Sequence, residues 1–526
     1  MKGDILLKKP QLLNYEGGLA YSRDARETLA KMAACCLVKE ASFYENTTGK
    51  VFDLVRLVGR KDPKWLVKLA VFLREELKLR SIAQYITAVC LTLPEARGAV
   101  ARAFDRLTPR LDDVLEIASL LKDGRYGLDP ALPHAARTQF ARKLNNLSEI
   151  DVLKYRRASR FGLKHLLSLV HPKPASAKQA LLFRYAHSRK NWSRFKLEEY
   201  CALPQIMSYE ELRRTPRRYT RKISGLIEEG KLLWEVVLPY AGASERTWAA
   251  CAKSMPIMAL IRNLRNLHRH GALKDPEIRC LVLEKITNRD VVLNSRLLPF
   301  RWLAAHRAVG DLDPEIGDAL ISALEISVEN IPRFKGETFV ACDNSGSMSW
   351  RTISSRSSLY PADIANLLGA MIFHLSESGS VSVFGSDFSV VPLSRKDSIM
   401  TNFAKISAFD IGWATYAYKV MQYLIAKKKR VDRIILLTDM IIYGSDEGDE
   451  GKEAFVNLLR VYRARINPEV KTYAINLQPY EYFISPADDL GVTTISGWSE
   501  SILKYIECDS AMDGTGLADI VERIVL

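Results

Sequence analysis

Residues 340–349 read VACDNSGSMS, and this stretch decides the fold of the C-terminal part of the 526-residue chain. Its apolar start predicts a short β-strand, which runs directly into a D-x-S-x-S loop. One carboxylate and two hydroxyls, spaced two residues apart, can all face one cation, and oxygen ligands of this kind suit Mg²⁺. Ligands of open α/β sheets lie at the carboxyl ends of strands. The stretch therefore predicts an α/β domain with Asp343, Ser345 and Ser347 at a magnesium site.

Two further segments supply oxygen atoms to the same predicted edge. The apolar strand 434–437 ends in Thr438 and Asp439, and Thr415 precedes a helix. In a parallel α/β sheet these loops can converge on one edge. The set resembles the metal-ion-dependent adhesion site of von Willebrand factor A (vWA) domains. By that resemblance the ion is carried by Asp343, Ser345, Ser347, Thr415 and Asp439, and open coordination positions accept an acidic group from a partner.

The Thr415 loop departs from the common Gly-Gly-Thr-Asp form, since Trp413 and Ala414 stand before the threonine and Tyr416 follows it. The alternative interpretation of Asp343 is a helix cap in a strand-to-helix turn. A phosphate-transferring enzyme is disfavoured because such enzymes need a second acid near the first, and Ser345 occupies that position. We therefore predict that the chain is not an enzyme.

The domain organisation follows from a change of pattern near residue 335. After it, strands alternate with helices, which predicts a mostly parallel, doubly wound sheet over residues 336–526. The predicted strands are 338–342, 380–384, 433–438 and 472–477, and the predicted helices are 361–376, 416–426 and 452–465. Before it, apolar residues recur at helical spacing from about residue 25 to 330. This predicts an all-α region over residues 1–335, either a bundle or a stack of helix pairs.

The charge of the chain is divided unequally between these two regions. The net charge is +15, yet residues 336–526 hold 18 Lys and Arg against 24 Asp and Glu. The first 335 residues therefore carry a net charge of +21. Such asymmetry indicates a polyanionic partner for the helical region, and it favours nucleic acid over a merely well-solvated basic surface.

Three basic segments are the candidates for contact with that partner. The first, residues 154–174, interleaves cations with Tyr155 and Phe161, and the second, residues 213–222, has six cations and no acid. In the third, helical spacing buries the leucines of residues 260–267 and leaves arginines exposed. The predicted contact residues are Lys154, Arg156, Arg157, Arg160, Lys164, His171, Arg213, Arg214, Arg217, Arg218, Arg262 and Arg265.

A basic helical region followed by an A domain resembles the Ro autoantigen family, whose N-terminal part is the TROVE module. The similarity is carried by segments 15–18 (YEGG), 154–174 and 255–264 and by Leu298-Pro299-Phe300. The resemblance implies a ring of HEAT-like helical repeats closed by the A domain. It implies binding of small noncoding Y RNA on the ring, with 3′ ends of misfolded or single-stranded RNA in a central hole.

Carried over by position, Lys154 and His171 match residues that contact Y RNA, whereas a third position, basic in animal members, is Ala158 here. The bacterial members are associated with an exoribonuclease that Y RNA tethers to the ring. The alternative function is a metal-dependent protein–protein adhesion scaffold without RNA, which has no need for so basic a helical region. We expect a cytoplasmic protein, because the chain shows neither a signal peptide nor a membrane span and its eight scattered cysteines are typical of ordinary buried thiols. We also expect a monomer.

Overall fold

The computed structural model describes most of the chain. Because the parts that it does not describe are short, the helices and strands can be followed in chain order. The described residues are 11–13, 19–21, 25–34, 45–124, 128, 130, 132–155, 161–187, 195–350, 352, 359–439, 451–477, 492–496, 501–510 and 517–526.

The N-terminal region consists mainly of helices joined by short connections. A small antiparallel pair, β1 (Gln11–Leu13) and β2 (Leu19–Tyr21), precedes them. The helices are α1 (Ala25–Ala34), α2 (Glu45–Lys61), α3 (Pro63–Glu75), α4 (Ser81–Thr92), α5 (Arg97–Leu107), α6 (Leu111–Asp123), α7 (His134–Leu144), α8 (Glu149–Tyr155), α9 (Leu163–Val170), α10 (Ala177–His187), α11 (Leu197–Cys201), α12 (Pro204–Arg214), α13 (Thr220–Glu229), α14 (Trp234–Ala241), α15 (Glu245–Ser254), α16 (Ile257–Arg269), α17 (Pro276–Thr287), α18 (Arg289–Ser295), α19 (Pro299–Val309) and α20 (Pro314–Ser327).

The C-terminal region alternates strands with helices, as the sequence predicts. Its elements are β3 (Phe334–Asp343), α21 (Ser347–Trp350), α22 (Pro361–Leu375), β4 (Ser376–Phe384), β5 (Phe388–Val391), α23 (Ile399–Ser407), α24 (Tyr418–Ala426), β6 (Arg433–Thr438), α25 (Gly451–Arg465), β7 (Lys471–Asn476), β8 (Val492–Ser496), α26 (Ser501–Ser510) and α27 (Leu517–Glu522).

Local sequence explains where many helices begin and which faces they bury. Asp62 stands before Pro63 at the start of α3 and accepts a hydrogen bond from the Trp65 amide at 3.1 Å, which is a standard N-cap. The apolar positions that recur at helical spacing in α2, α3 and α4 are mostly buried, and Trp65 and Tyr85 are among the largest fully buried side chains. In α2, Leu54 is only half-buried and 43% of the surface of Leu57 is exposed. No helix among the described residues has both the length and the apolar character needed to span a bilayer.

The chain forms two compact units. One comprises Met1–Pro109, Leu120–Ala135 and Met512–Leu526, and the other comprises Arg110–Ser119 and Ala136–Ala511. In the first unit the last helix, α27, packs against α1 and α3. Trp65 fixes this contact, because its indole Nε1 donates a hydrogen bond of 3.2 Å to the Ala518 carbonyl. The two ends of the chain therefore belong to one unit.

The second unit contains a six-stranded sheet in the order β5-β4-β3-β6-β7-β8. All neighbouring strands pair in parallel except β4 and β5, which are antiparallel, so the sheet is mixed. The predicted fold class, a helical N-terminal region followed by an α/β vWA-type domain, is confirmed. Strands β5 and β8, which were not predicted from the sequence, are edge strands of four and five residues.

The last helices of the helical region are bonded directly to the sheet domain within this second unit. Arg307 of α19 donates two hydrogen bonds, of 2.6 and 2.5 Å, to the carboxylate of Asp363 in the first turn of α22. Glu325 of α20 accepts a hydrogen bond of 3.3 Å from the Met400 amide in the first turn of α23. The predicted boundary between residues 335 and 336 remains a sequence-based prediction.

Candidate functional site

Parallel strand pairing brings the two predicted carboxylates together. Cys342 of β3 pairs with Leu437 of β6, so the next residue of each strand, Asp343 and Thr438, stand side by side, and Asp439 follows. Both Asp343 and Asp439 have 0% of their surface exposed. The site thus begins with two buried acids at the carboxyl ends of neighbouring central strands, which is where α/β sheets place ligands.

Hydrogen bonds fix the first of these carboxylates. The Ser345 amide donates to Asp343 Oδ1 at 2.9 Å, and the Thr438 hydroxyl donates to Asp343 Oδ2 at 2.5 Å. The hydroxyls of Ser345 and Ser347 lie 3.3 Å apart. Thr438 was not among the residues predicted from the sequence to form this site. Its position at the end of β6, directly before Asp439, is the feature of the sequence that could have indicated such a role.

The loop that carries Thr415 is bonded to the residue 343–347 loop and to the turn between β4 and β5. The Gly346 amide donates to the Trp413 carbonyl at 3.2 Å, and the Tyr416 amide donates to the Gly385 carbonyl at 3.0 Å. These bonds lie on both sides of Thr415, which is 1% exposed. The backbone therefore places this hydroxyl in the loop cluster formed with residues 343–347, despite the unusual sequence before it.

The electrostatics of this cluster favour a bound cation. Burial raises the pKa of the Asp343 carboxyl, and the nearby charge of Asp439 raises that pKa further. Among the described residues, no lysine or arginine forms an ion pair with Asp343. Placing two like charges together away from water is costly unless a cation compensates them. Carboxylates combined with serine and threonine hydroxyls are hard oxygen donors, so the residues present fit a divalent ion such as Mg²⁺.

The Trp413 side chain packs on the loop of residues 343–347, a contact that was not predicted from the sequence. A methyl group at Gly346 would stand 2.3 Å from Trp413 Cε3, so the indole lies directly on that glycine. The rest of the side chain faces solvent, and 81% of its surface is exposed. A side chain at position 346 would therefore have to displace the Trp413 indole from the loop.

The third basic segment forms helix α16 as predicted. Leu260, Leu264 and Leu267 are fully buried, whereas Arg262 and Arg265 are exposed. Arg269, one turn further, is also exposed. Within the described part of the chain, none of these three arginines forms an ion pair. Their charges consequently remain available to an external anion.

The first basic segment places two predicted contact residues near one another. Lys164 is exposed on α9, and His171 follows that helix in the left-handed region with φ 49°. Burial lowers the pKa of His187, and the charges of Lys164 and His171 lower it further. Lys164 and His171 therefore lie close enough to His187 to influence it, and Lys164 brings a positive charge to this surface.

Other predicted cations make contacts within the protein. Lys154 forms an ion pair of 3.2 Å with Glu235. Arg213 forms one of 2.6 Å with the buried Glu210, and its guanidinium lies 5.0 Å from the centre of the Tyr240 ring. Arg217 donates hydrogen bonds of 3.0 Å to the carbonyls of residues 239 and 240. Each of these contacts gives the side chain a structural role beside its predicted one.

The remaining predicted cations differ in what the structure says of them. Arg214 and Arg218 are exposed, and the Arg218 guanidinium lies over the ring of Tyr219. Arg156, Arg157 and Arg160 lie outside the described residues, as do residue 158 and the segment 15–18. The structure therefore places the five predicted metal ligands in neighbouring loops but distributes the basic residues over several helices.

Comparisons with known proteins identify the families to which both regions are similar. The profile of the TROVE domain matches residues 19–215 and 228–336, and that of the Ro60 vWA domain matches residues 337–508. The crystal structure of the Deinococcus radiodurans Ro (RSR) protein superimposes with a TM-score of 0.71 and covers 87% of this chain and 94% of its own. At 16% identity this likeness shows a shared fold.

Similar sequences include proteins named for RNA binding. RNA-binding protein RO60 of Caenorhabditis elegans is 24% identical over 290 residues, and its Deinococcus radiodurans counterpart is 21% identical over 287 residues. Telomerase protein component 1 of Mus musculus is 24% identical over 340 residues. The aligned regions cover 52–53% of this chain, but only 41%, 52% and 12% of these three relatives, respectively.

Proposed function

Since the chain belongs to the TROVE-domain family and carries a Ro60-type vWA domain, we propose that its helical region binds RNA. The strong positive charge of residues 1–335 supports this. Lys and Arg side chains that neutralise phosphates supply most of the sequence-independent affinity for nucleic acid. We therefore propose that the protein is a non-enzymatic component of a ribonucleoprotein.

The observation that carries the proposal is the exposed arginine row on α16. Arg262, Arg265 and Arg269 stand three and four residues apart, so they share one side of the helix. Many surface arginines of the chain form ion pairs, for example Arg279 with Asp313 at 2.8 Å. A row of cations that the protein itself leaves uncompensated is what a phosphate chain requires.

Charge reversal tests this directly. We expect Arg262→Glu combined with Arg265→Glu to weaken binding of a single-stranded RNA by at least tenfold at moderate salt. The double logarithmic salt slope should become less steep by about 0.7 for each lost phosphate contact. Fluorescence anisotropy of a labelled oligonucleotide measures both quantities.

The matched control reverses two exposed cations of the acidic C-terminal domain. Lys427→Glu with Arg430→Glu changes the net charge by the same amount, and both residues are exposed. This variant should retain most of the affinity. Equal losses in the two variants would mean that net charge alone governs binding, and the α16 surface would lose its assigned role.

We propose further that the RNA is of two kinds. A small noncoding Y-type RNA is the resident partner, with Lys154 and His171 among its contacts, and the single-stranded 3′ ends of misfolded RNA are substrates of quality control. An exoribonuclease, tethered through the Y-type RNA, would degrade them. Sequencing of RNA that copurifies with the protein, and nuclease treatment before a pull-down, test these two statements.

We also propose a cytoplasmic monomer. The compartment is supported by the buried, free thiols of Cys90, Cys251 and Cys342, since disulfides are rare where thiols are kept reduced. Light scattering of the RNA-free protein tests the monomer. A mass corresponding to two chains would contradict it.

The C-terminal domain supports a second binding function, for a divalent cation. We propose that Asp343, Ser345, Ser347, Thr415 and Asp439 hold Mg²⁺, some of them through water, and that an acidic group of a partner occupies an open position. The burial of both acids at the ends of neighbouring strands is the observation in its favour. Metal content after dialysis against Mg²⁺, with Asp343→Ala as the negative control, is the test.

A further inference from the structure

The turn between α12 and α13 has features that the family resemblance does not explain. Residues 216–227 fall in the gap between the two stretches that match the TROVE profile. The turn is nevertheless ordered by specific bonds. Arg217 binds the carbonyls of Pro239 and Tyr240, which are in the last turn of α14, and the Tyr219 amide donates to the Pro216 carbonyl at 3.0 Å. Side chains beyond Arg217 are therefore presented from a fixed backbone.

Tyr219 presents its aromatic ring to solvent from this turn. The side chain is 49% exposed, although an aromatic ring of this size usually packs against other residues. The Arg218 guanidinium lies 5.1 Å from the ring centre, and its Nη2 donates to the tyrosine hydroxyl at 3.3 Å. This contact holds the ring in place while leaving half of its surface open. The residues from Arg218 to Lys222 line a surface depression of about 480 Å³ beside it.

The cations around this ring are largely uncompensated. In the part of the chain that the structure describes, neither Arg218 nor Arg221 forms an ion pair. Lys222 pairs with Glu211 at 2.7 Å, but both side chains are about half exposed. Exposed pairs of this kind contribute little free energy, so a phosphate can replace the carboxylate at small cost. An open ring thus lies among three exposed positive charges.

We propose that Arg218, Tyr219, Arg221 and Lys222 form a subsite for one unpaired nucleotide of an RNA strand. The base stacks on the open part of the Tyr219 ring, and the adjoining phosphates lie against Arg221 and Lys222. Stacking on an aromatic ring tolerates any base, because every base has a π-face. A base inside a duplex cannot use the site, since its faces are covered by its neighbours. The inference rests on the proposed RNA-binding function and adds to it a defined stacking position for one unpaired base.

The test measures affinity of the full-length protein for a single-stranded oligouridine and for a duplex of equal length. Tyr219→Ala should weaken binding to the single strand by about fivefold or more and leave binding to the duplex unchanged. Tyr219→Phe should stay close to the wild type, because it keeps the ring. Tyr360→Ala removes an exposed tyrosine of the C-terminal domain and serves as the matched control; it should change neither affinity.

Two further measurements separate stacking from charge. An oligonucleotide with abasic sites should bind wild type and Tyr219→Ala equally, because the stacking partner is missing. Arg221→Gln with Lys222→Gln should instead lower the salt slope by about 0.7 per lost contact. Thermal melting of each variant verifies that it is folded.

Each result has a defined consequence. If Tyr219→Ala binds the single strand as tightly as the wild type while Arg262→Glu with Arg265→Glu weakens it, the subsite is refuted and RNA binding stands. Equal losses for single strand and duplex would also overturn the subsite. If the wild type binds no RNA, the proposed function itself fails. Competition by an acidic peptide that equals competition by RNA would refute recognition of a nucleotide.

Discussion

Removing one of the two buried carboxylates at the sheet edge should reveal two opposite effects on stability. One is destabilisation by repulsion between the two acids, and the other is stabilisation by a bound cation. Asp343 and Asp439 are both fully buried at the ends of adjacent strands. Two unit charges in close contact, about 4 Å apart, repel by about 4 kcal/mol at an effective dielectric constant of about 20. Protonation of Asp343, whose pKa is raised, relieves part of that repulsion, so about 4 kcal/mol is an upper bound for the metal-free protein.

Asp439→Asn therefore has opposite expected effects with and without metal. In a chelator the variant should melt at a higher temperature than the wild type, because the repulsion is gone. The wild type should gain about 2.7 kcal/mol when Mg²⁺ is present at about 100 times its dissociation constant. For a domain of the size of the predicted C-terminal domain, residues 336–526, this free energy corresponds to an increase of about 5–10 °C in the melting temperature. The variant should gain almost nothing.

Differential scanning calorimetry in chelator and in Mg²⁺ gives both numbers. Asp397→Asn removes an acid that pairs with Lys405 at 2.6 Å in the same domain, and this control should retain the full effect of Mg²⁺. The reasoning would be refuted if the wild type did not respond to Mg²⁺, or if Asp439→Asn responded as strongly as the wild type.

Three further predictions follow from packing and charge. Leu264→Ala should lower the free energy of unfolding by about 2–5 kcal/mol in urea denaturation, because the side chain is fully buried; a loss below this range would contradict close packing under α16. Asp313→Asn keeps an N-cap but loses the ion pair with Arg279, which should cost about 1–3 kcal/mol at neutral pH. The hydrogen bond from Arg279 lowers the pKa of Asp313. The extra stability of the wild type is therefore present above the pKa of Asp313 in the unfolded chain and is lost as the pH falls through its lowered pKa in the folded protein. A stability difference between wild type and variant that persists in strong acid would argue against this role of the ion pair. Gly346→Ala should abolish the thermal response to Mg²⁺ by colliding with Trp413, and Trp413→Ala in the same chain should restore it; failure of that rescue would place the fault elsewhere in the loop.

The sequence indicated where the two buried acids lie, because the order of strands along the chain reflects a regular architecture. Parallel strands end at one sheet edge, so an acid after β3 and another after β6 must lie close together once the strands pair. Strand β6 spans the predicted residues 433–438. Helix α22 ends one residue before its predicted limit, at Leu375. These elements are long or fully buried, and such segments have the clearest periodicity.

Other features depend on contacts between residues distant in sequence. Nothing in the sequence indicates that Arg217 binds the last turn of α14, or that Trp413 rests on Gly346. Edge strands such as β5 are short and have one partner, so neither length nor continuous apolar character identifies them. The sequence treats all cations of a basic segment alike, whereas the folded chain assigns Arg213 to Glu210 and leaves Arg218 open to solvent.

That distinction has a consequence for reading basic proteins in general. A cation that the fold already neutralises contributes to stability, and its removal weakens binding only indirectly, through the structure. A cation without an internal partner contributes to binding and little to stability. Arg213 and Arg218, five residues apart, differ in this respect. Arg213→Ala should lower the melting temperature because it removes the ion pair of the buried Glu210, whereas Arg218→Ala should lower RNA affinity at an unchanged melting temperature. Equal melting temperatures for the two variants would show that internal pairing does not sort these side chains by role.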